Sequence, residues 1–126
     1  MERLSMNSKN ITEVKSKRFA IRNMKLVQFL SENKRPLFII NQVGRSGTSI
    51  GANVVEAEHA ISKKEFLQKM YIAYKECSET LYWIDLLNES EYISREAHES
   101  LTMDCREIQR LLASITKTTT GQLGEK

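Results

Sequence analysis

The chain has 126 residues, one proline, five glycines and a formal net charge of +3. This length suits one domain with a real hydrophobic core, and the composition favours helices over strands. No apolar run reaches the roughly 20 residues that a transmembrane helix needs, and the polar first ten residues lack the apolar block of a signal peptide, so the sequence predicts a cytoplasmic protein with no membrane partner.

The charge is unevenly distributed along the chain. Residues 1–45 contain ten Lys and Arg against three Asp and Glu, a charge of +7, whereas residues 46–126 contain nine against thirteen, a charge of −4. Such asymmetry is typical of a protein that binds an anionic partner or that associates with itself through complementary charges. An ordinary solvated surface is the simpler interpretation.

Four amphipathic segments follow one another, and they predict an all-α protein of a single domain over residues 1–126. Long helices joined by short turns most simply form an antiparallel up-down-up-down four-helix bundle. The predicted helices cover about residues 12–32, 37–60, 63–88 and 95–117. Residues 118–126 have no apolar period and are predicted to be a flexible tail.

The apolar positions repeat every three or four residues and predict which side chains are buried. Pro36 fits the start of the second helix, Ser62 and Glu65 form a capping box for the third, and Ser94 can cap the fourth. Both cysteines fall on apolar stripes, which predicts buried reduced thiols rather than a zinc site. The predicted core consists of Phe19, Ala20, Met24, Leu26, Val27 and Leu30, then Ile40, Val43, Gly47, Ile50, Val54, Ala57 and Ile61, then Phe66, Met70, Ala73, Cys77, Leu81, Ile84 and Leu87, and finally Ala97, Leu101, Cys105, Ile108, Leu112 and Ile115.

The segment from Arg45 to Ala57, RSGTSIGANVVEA, has helical periodicity although Gly47 and Gly51 lie inside it and Gly44 precedes it. Each interior glycine costs a helix about 1 kcal/mol relative to alanine. We therefore expect another helix backbone to approach closely there, as in contacts between small residues four apart. A phosphate-binding loop would need the pattern GxxxxGK[ST] after a strand, and neither is present.

A polar stripe lies about 100° around the same helix from its apolar seam. It consists of Gln42, Ser46, Ser49, Asn53 and Glu56. Arg45 lies beside this stripe, and we expect it to form an ion pair with Glu76 or Glu79 of the third helix. The stripe is either an exposed polar face or a buried or intersubunit network, and spacing alone does not decide. The residues assigned to structure or assembly are Gly44, Gly47, Gly51, Asn53, Glu56, Glu76, Glu79 and Trp83.

No catalytic constellation is visible, which predicts a protein that is not an enzyme. Glu56 and His59 match Glu-x-x-His, which contributes to di-iron sites in helical bundles, but such a site needs a second copy of the motif and two more inward glutamates. His98 has no acid at the required spacing. A di-metal enzyme that also uses Glu76 and Glu79 is a remote alternative, and no cofactor is predicted.

The first helix carries a basic ridge opposite its apolar arc. Its cations are three, four and three residues apart, which makes a ridge about 15 Å long. Phe29 falls at the same angle. Such a surface can track phosphates and offers an aromatic ring for stacking, although similar ridges also serve as solubilising faces or dock acidic subunits. The predicted nucleic-acid contacts are the ridge residues Lys15, Arg18, Arg22 and Lys25, followed by Lys34, Arg35 and Arg45.

Several motifs together are familiar: RSGTSIGANVVEA, then Phe66, then IAYKE at 72–76 and ETLYW at 79–83. In their order and spacing, over about residues 19–117, the chain resembles the four-helix-bundle proteins named after open reading frames in 23S rRNA intervening sequences. Many relatives carry proline in a Ser-x-Pro-x-Asn segment where this chain has Gly51.

The resemblance implies a homopentamer of antiparallel four-helix bundles. It also implies a nucleic-acid role, because a distant relative is the basic accessory variability protein of diversity-generating retroelements, which works with a reverse transcriptase and nucleic acid. The sequence therefore favours a non-enzymatic, oligomeric protein that binds RNA or DNA through the basic ridge. A protein-interaction scaffold that holds a protein partner without nucleic acid is the alternative.

Overall fold

The computed structural model describes the backbone of residues 2–124 and the side chains of residues 11–124. Its four helices are α1 (Glu2–Glu32), α2 (Leu37–Glu58), α3 (Lys63–Glu89) and α4 (Arg95–Gly124). Helices adjacent in the chain pack against each other, and α4 closes the bundle against α1. Each pair of neighbouring helices is antiparallel, because residues later in one helix contact residues earlier in the other. The contacts are Asn23–Val43, Ser46–Thr80, Glu56–Lys69, Asp85–His98, Ser78–Gln109, Lys15–Glu107 and Arg22–Asp104. The predicted all-α up-down-up-down bundle is confirmed.

The predicted side-chain caps of Ser62 and Ser94 form, but the described hydrogen bonds do not include the return bond of the capping box, from the Ser62 N–H to the Glu65 carboxylate. The Ser62 hydroxyl accepts a hydrogen bond from the backbone N–H of Glu65 at 3.1 Å, and the Ser94 hydroxyl accepts one from the N–H of Ala97 at 3.1 Å. These bonds satisfy amide groups that a helix start otherwise leaves without partners. Pro36 lies directly before α2, where its missing N–H costs nothing.

The first and last helices, α1 and α4, are longer than predicted. α1 begins at Glu2 rather than near residue 12, and residues 118–124 continue α4 instead of forming a flexible tail; residues 125–126 lie outside the described part. Thr116 and Thr119 are each only 6 % exposed, and their hydroxyls donate to the carbonyl oxygens of Ala113 and Ile115 at 3.0 and 2.9 Å. Threonine thereby satisfies its own hydroxyl inside the helix, so the buried stripe of α4 continues past its last aliphatic residue.

Most of the predicted core is buried or half-buried, but two of its members are exposed. Met24 is 63 % exposed, and Ile61, which follows the end of α2, is 93 % exposed. The inner face of α1 instead carries the buried polar residues Thr12, Ser16 and Asn23. Of these, Asn23 lies against Gly47 and Ser16 lies against Gly51, where bulkier side chains would not fit.

The two cysteines lie inside the bundle, as predicted. Both thiols are free and buried, and the Cys105 thiol donates to the carbonyl oxygen of Cys77 at 3.6 Å across the α3–α4 contact. The neighbouring Cys105 thiol and burial raise the pKa of Cys77. A thiol held in its neutral form is a poor nucleophile, so this pair belongs to the core.

Candidate functional site

The α1 helix packs closely against the glycines of α2. A Cβ atom at Gly47 would lie 2.4 Å from Asn23, one at Gly44 would lie 3.1 Å from a methyl group of α1, and one at Gly51 would lie 3.4 Å from the backbone oxygen of Ser16. The predicted close approach is confirmed. Its partner is a helix of the same chain, so these glycines pack the bundle rather than bind a ligand.

Arg45 connects α2 to α3 through an ion-pair network. Its guanidinium donates to Glu76 at 3.2 Å and to Glu79, and the indole N–H of Trp83 donates to the same Glu79 oxygen at 3.2 Å. Sequence spacing suggested one glutamate partner, and the structure provides both. The Arg45 side chain remains 49 % exposed, whereas that of Glu76 is 15 % exposed. The network therefore links α2 to α3 by ion pairs at the surface, and the glutamates partly neutralise the charge of Arg45.

The pKa values of the two glutamates in this network are shifted in opposite directions. Burial raises the pKa of Glu76, while the hydrogen bond from Arg45 lowers the pKa of Glu79. Ionised Glu79 therefore stabilises the folded protein above its unfolded-state pKa, and this contribution disappears as the pH falls through the folded-state value. For Glu76 the sign is reversed, because folding disfavours its ionised form.

We expect Glu76→Gln to leave the free energy of unfolding at pH 7 equal to or above that of the original protein. Glu79→Gln should lower it by about 0.5 kcal/mol, the scale of an exposed ion pair, and should reduce the loss of stability between pH 5 and 3. Urea unfolding at both pH values measures this. A Glu76→Gln variant that is the less stable of the two at pH 7 would contradict the assignment.

The remaining polar stripe of α2 is used within the chain. The Asn53 amide donates to the carbonyl oxygen of Ser49 at 2.8 Å, and Glu56 pairs with Lys69 at 2.8 Å. His59 lies exposed at the end of α2. No three His, Cys, Asp or Glu side chains in the described part of the chain are placed to hold a metal ion. The acids of the remote di-metal alternative thus form ion pairs, with Lys69 and Arg45.

Two cations of the basic ridge of α1 form ion pairs with acids of α4. Lys15 forms an ion pair with Glu107 at 2.6 Å, and Arg22 forms one with Asp104 at 2.7 Å. Helical periodicity places the ridge opposite the apolar arc of α1, but no local pattern shows that α4 brings two acids alongside it. These two cations therefore fasten α1 to α4.

The other predicted contacts divide into two groups. The Arg35 guanidinium lies over the ring of Tyr92, 4.5 Å from its centroid, and this cation–π contact at the end of the bundle occupies it. Arg18, Lys25 and Lys34 are exposed and form no ion pair with another residue of the described range 11–124. Three of the seven predicted cations remain free for an anionic ligand.

A second basic surface, which the sequence interpretation missed, lies on the outer side of α3 and α4. We call it the α3–α4 face. Its cations are exposed, and none forms an ion pair among the side chains that the structure describes. They are Lys75, Arg106, Arg110 and Lys117.

Two grooves open on this face, and each combines tyrosine with a cation. The lower groove, of about 400 Å³, is lined by Tyr71, Tyr74, Ala113, Thr116, Lys117 and Thr120. The upper groove, of about 300 Å³, is lined by Ser78, Leu81, Tyr82, Asp85, His98, Thr102 and Arg106. Aromatic rings beside unpaired cations are the composition that proteins use to hold phosphate-bearing chains.

A net charge of −4 for residues 46–126 concealed this surface. The acids Asp104 and Glu107 lie on the side of α4 that faces α1, where they pair with α1. The cations at 106, 110 and 117, four and seven residues apart, share a side that lies about 110° around α4 from these acids, at 100° per residue. A helical wheel of α4 alone would have separated its acids from its cations. It would not have shown that tyrosines of α3 lie beside those cations.

Comparison with known proteins gives a family but no activity. No curated protein matches the chain. No helix within the described residues is both long and apolar enough to cross a bilayer. A crystal structure from Bacteroides thetaiotaomicron, of a protein with unknown function from the S23 ribosomal protein family, is similar, with 48 % identity, a TM-score of 0.85 and coverage of 87 % of this chain and 98 % of that one. The family model for the 23S rRNA-intervening sequence protein matches residues 9–114. The chain belongs to the 23S rRNA-intervening sequence protein family.

Proposed function

We propose that this protein is a non-enzymatic, oligomeric protein that binds RNA or DNA through the α3–α4 face. The observation that carries the proposal is a set of four exposed cations, none of which forms an ion pair with a side chain of residues 11–124, beside tyrosine-lined grooves. Lys and Arg that neutralise phosphates supply most of the sequence-independent affinity for nucleic acid. The family description refers to 23S rRNA and that of the structural neighbour to a ribosomal protein family, which supports a nucleic-acid context.

The spacing of the cations suits contact with a chain of phosphates. Arg106 and Arg110 are one helical turn apart, about 6 Å, and Lys117 lies about 10 Å further along α4 at the usual rise per residue. Lys75 comes from the neighbouring helix. An extended row of charge can contact successive phosphates, whereas one cation holds a single anion.

The ridge of α1 is the second candidate surface for nucleic acid. Arg18 and Lys25 are exposed there and seven residues apart, so they share one side of the helix. Asp104 and Glu107 lie between this ridge and the cations of α4. The two surfaces share no cation, so they can be tested separately.

Oligomerisation is proposed from the family resemblance, with five copies expected. The outer side of α2 supports it, because five exposed or half-buried residues there include no charge, so copies could meet without like-charge repulsion. Leu37 is 70 % and Val55 is 44 % exposed. The stripe consists of Leu37, Asn41, Thr48, Ala52 and Val55.

Two matched charge-reversal variants test the proposal. Arg106→Glu with Arg110→Glu should weaken binding of a 20-nucleotide single-stranded RNA at least tenfold. It should also reduce the slope of log affinity against log salt by about 1.4, the value for two lost phosphate contacts on a single strand. Arg18→Glu with Lys25→Glu changes the net charge equally and should have less than a threefold effect. Fluorescence anisotropy over a salt series measures both variants.

The same samples separate the possible failures. A loss confined to the α1 variant would move the site to the basic ridge, and an equal loss in both would indicate long-range electrostatics alone. A protein that binds no RNA or DNA, yet captures a protein partner in the presence of nuclease, would be a scaffold instead. Light scattering reports the mass of each sample; a single chain would contradict the oligomer.

A further inference from the structure

We propose that the α3–α4 face selects single-stranded over double-stranded nucleic acid, because unpaired bases stack on Tyr71 and Tyr82 in its two grooves. This inference rests on the proposed function and names the form of nucleic acid at the same site. Duplex bases are stacked inside their helix, so only their edges and phosphates reach a protein surface. Single-stranded bases expose their faces, and proteins bind these faces with aromatic side chains.

The lower groove offers an exposed ring face, and none of the residues that line it is acidic. Tyr71 is 50 % exposed and Tyr74 is half-buried beside it. The small side chain of Ala113 on α4 leaves room opposite the two rings, and Lys117 lies at the rim. A base that enters this groove can lie against a tyrosine while Lys117 attracts its phosphate.

The upper groove repeats the arrangement with a fixed ring. Tyr82 is 57 % exposed and packs edge-to-face with Trp83, their centroids 5.1 Å apart, which limits its rotation. Arg106 supplies the cation on the same groove. One acid, Asp85, also lines this groove, and its carboxylate lies within hydrogen-bonding distance of His98 Nε2, at 3.1 Å.

The two grooves share one register. Tyr71 and Tyr82 are 11 residues apart on α3, and Arg106 and Lys117 are 11 residues apart on α4. Because the two helices run antiparallel, each tyrosine meets the cation of its own groove. The separation is about 16 Å along the helices, so one short strand can occupy both grooves while its backbone follows the cations.

The test replaces the rings and keeps the charges. We expect Tyr71→Leu with Tyr82→Leu to weaken binding of a labelled 15-nucleotide single-stranded RNA tenfold or more, since each stacked base contributes measurably. Its affinity for the matching 15-base-pair duplex and its salt slope should stay unchanged. Tyr71→Phe with Tyr82→Phe keeps the rings and should bind like the original protein. Both side chains are half exposed, so neither variant removes core packing, and circular dichroism checks the fold.

A second readout comes from Trp83, which touches Tyr82. Single-stranded RNA should quench its fluorescence, and duplex should not. If the leucine variant binds single strands like the original protein, or loses both forms equally, stacking is overturned. If the Arg106 and Arg110 reversal also leaves binding intact, the proposed function fails too; if that reversal abolishes binding while the leucine variant is unaffected, only the stacking inference fails.

Discussion

Replacing Gly47 by alanine is expected to lower the free energy of unfolding by about 2–4 kcal/mol, although alanine is the better helix former. Propensity alone would add about 1 kcal/mol. The new methyl carbon would, however, lie 2.4 Å from Cγ of Asn23, a distance that real contacts do not tolerate. Asn23 is 1 % exposed, so its side chain cannot swing into solvent. Overpacking of this kind costs about 1–3 kcal/mol.

The hydrogen bonds of Asn23 add to that cost. Its amide donates to the carbonyl oxygens of Val43 and Gly44 at 3.0 and 3.2 Å, and a displaced side chain loses both, at about 1 kcal/mol each. Gly121 is the matched control, because a Cβ there meets nothing within 4 Å. Gly121→Ala should raise stability by up to about 1 kcal/mol.

A double-mutant cycle isolates the contact between the two helices. On an Asn23→Ala background the obstacle is absent, so Gly47→Ala should become neutral or stabilising. Urea unfolding of the four proteins measures the coupling. Equal costs of Gly47→Ala on both backgrounds would show that Gly47 is required for a reason other than the approach of α1.

Truncating Leu112 to alanine is the second change with a large expected effect, a loss of about 2–5 kcal/mol. Leu112 is fully buried on α4, so the shorter side chain leaves a cavity that the surrounding helices fill only in part. The expected range reflects how far they relax. Thermal or urea unfolding measures the loss.

Met24 provides the comparison that periodicity alone would get wrong. It was assigned to the core on the same grounds as Leu112, yet it is 63 % exposed. Met24→Ala should therefore change stability by no more than about 0.5 kcal/mol, as exposed substitutions do. A loss from Met24→Ala comparable to that from Leu112→Ala would mean that α1 is rotated relative to its position here, or that the outer surface is buried in an assembly. Unfolding of a monomeric sample and of the assembled sample distinguishes the two.

The basic surfaces of this protein depend on which side of each helix the charged residues occupy, not on the net charge of each part of the chain. The first 45 residues carry the excess of positive charge, but α4 neutralises two cations of their ridge, and packing against Tyr92 and the α3 glutamates occupies two more of the predicted contacts. The half with net negative charge instead presents four exposed cations together, and no described side chain forms an ion pair with them. Ion pairs between distant residues produce this exchange, which a sum along the chain does not record.

The sequence alone determined the number of helices, the first residues of α2 and α3, and the apolar seam of α2. Caps such as Ser62 and Ser94 act on amides two or three residues away, and a helical period is a relation between neighbours, so short stretches contain the required information. The requirement for glycine at 47 was also readable, because its helical cost had to be offset by something. The family resemblance followed from these same local motifs.

Only the tertiary structure decided which side of α1 faces inward, which cations remain free and which tyrosines share a groove with a cation. Each depends on residues far apart in the chain: Asn23 fits the space left by Gly47, Glu107 comes 92 residues after its partner Lys15, and Tyr71 meets Lys117 across two helices. Helical periodicity gives each helix an apolar side, but the packing of complementary shapes selects the neighbour, and that selection defines the α3–α4 face.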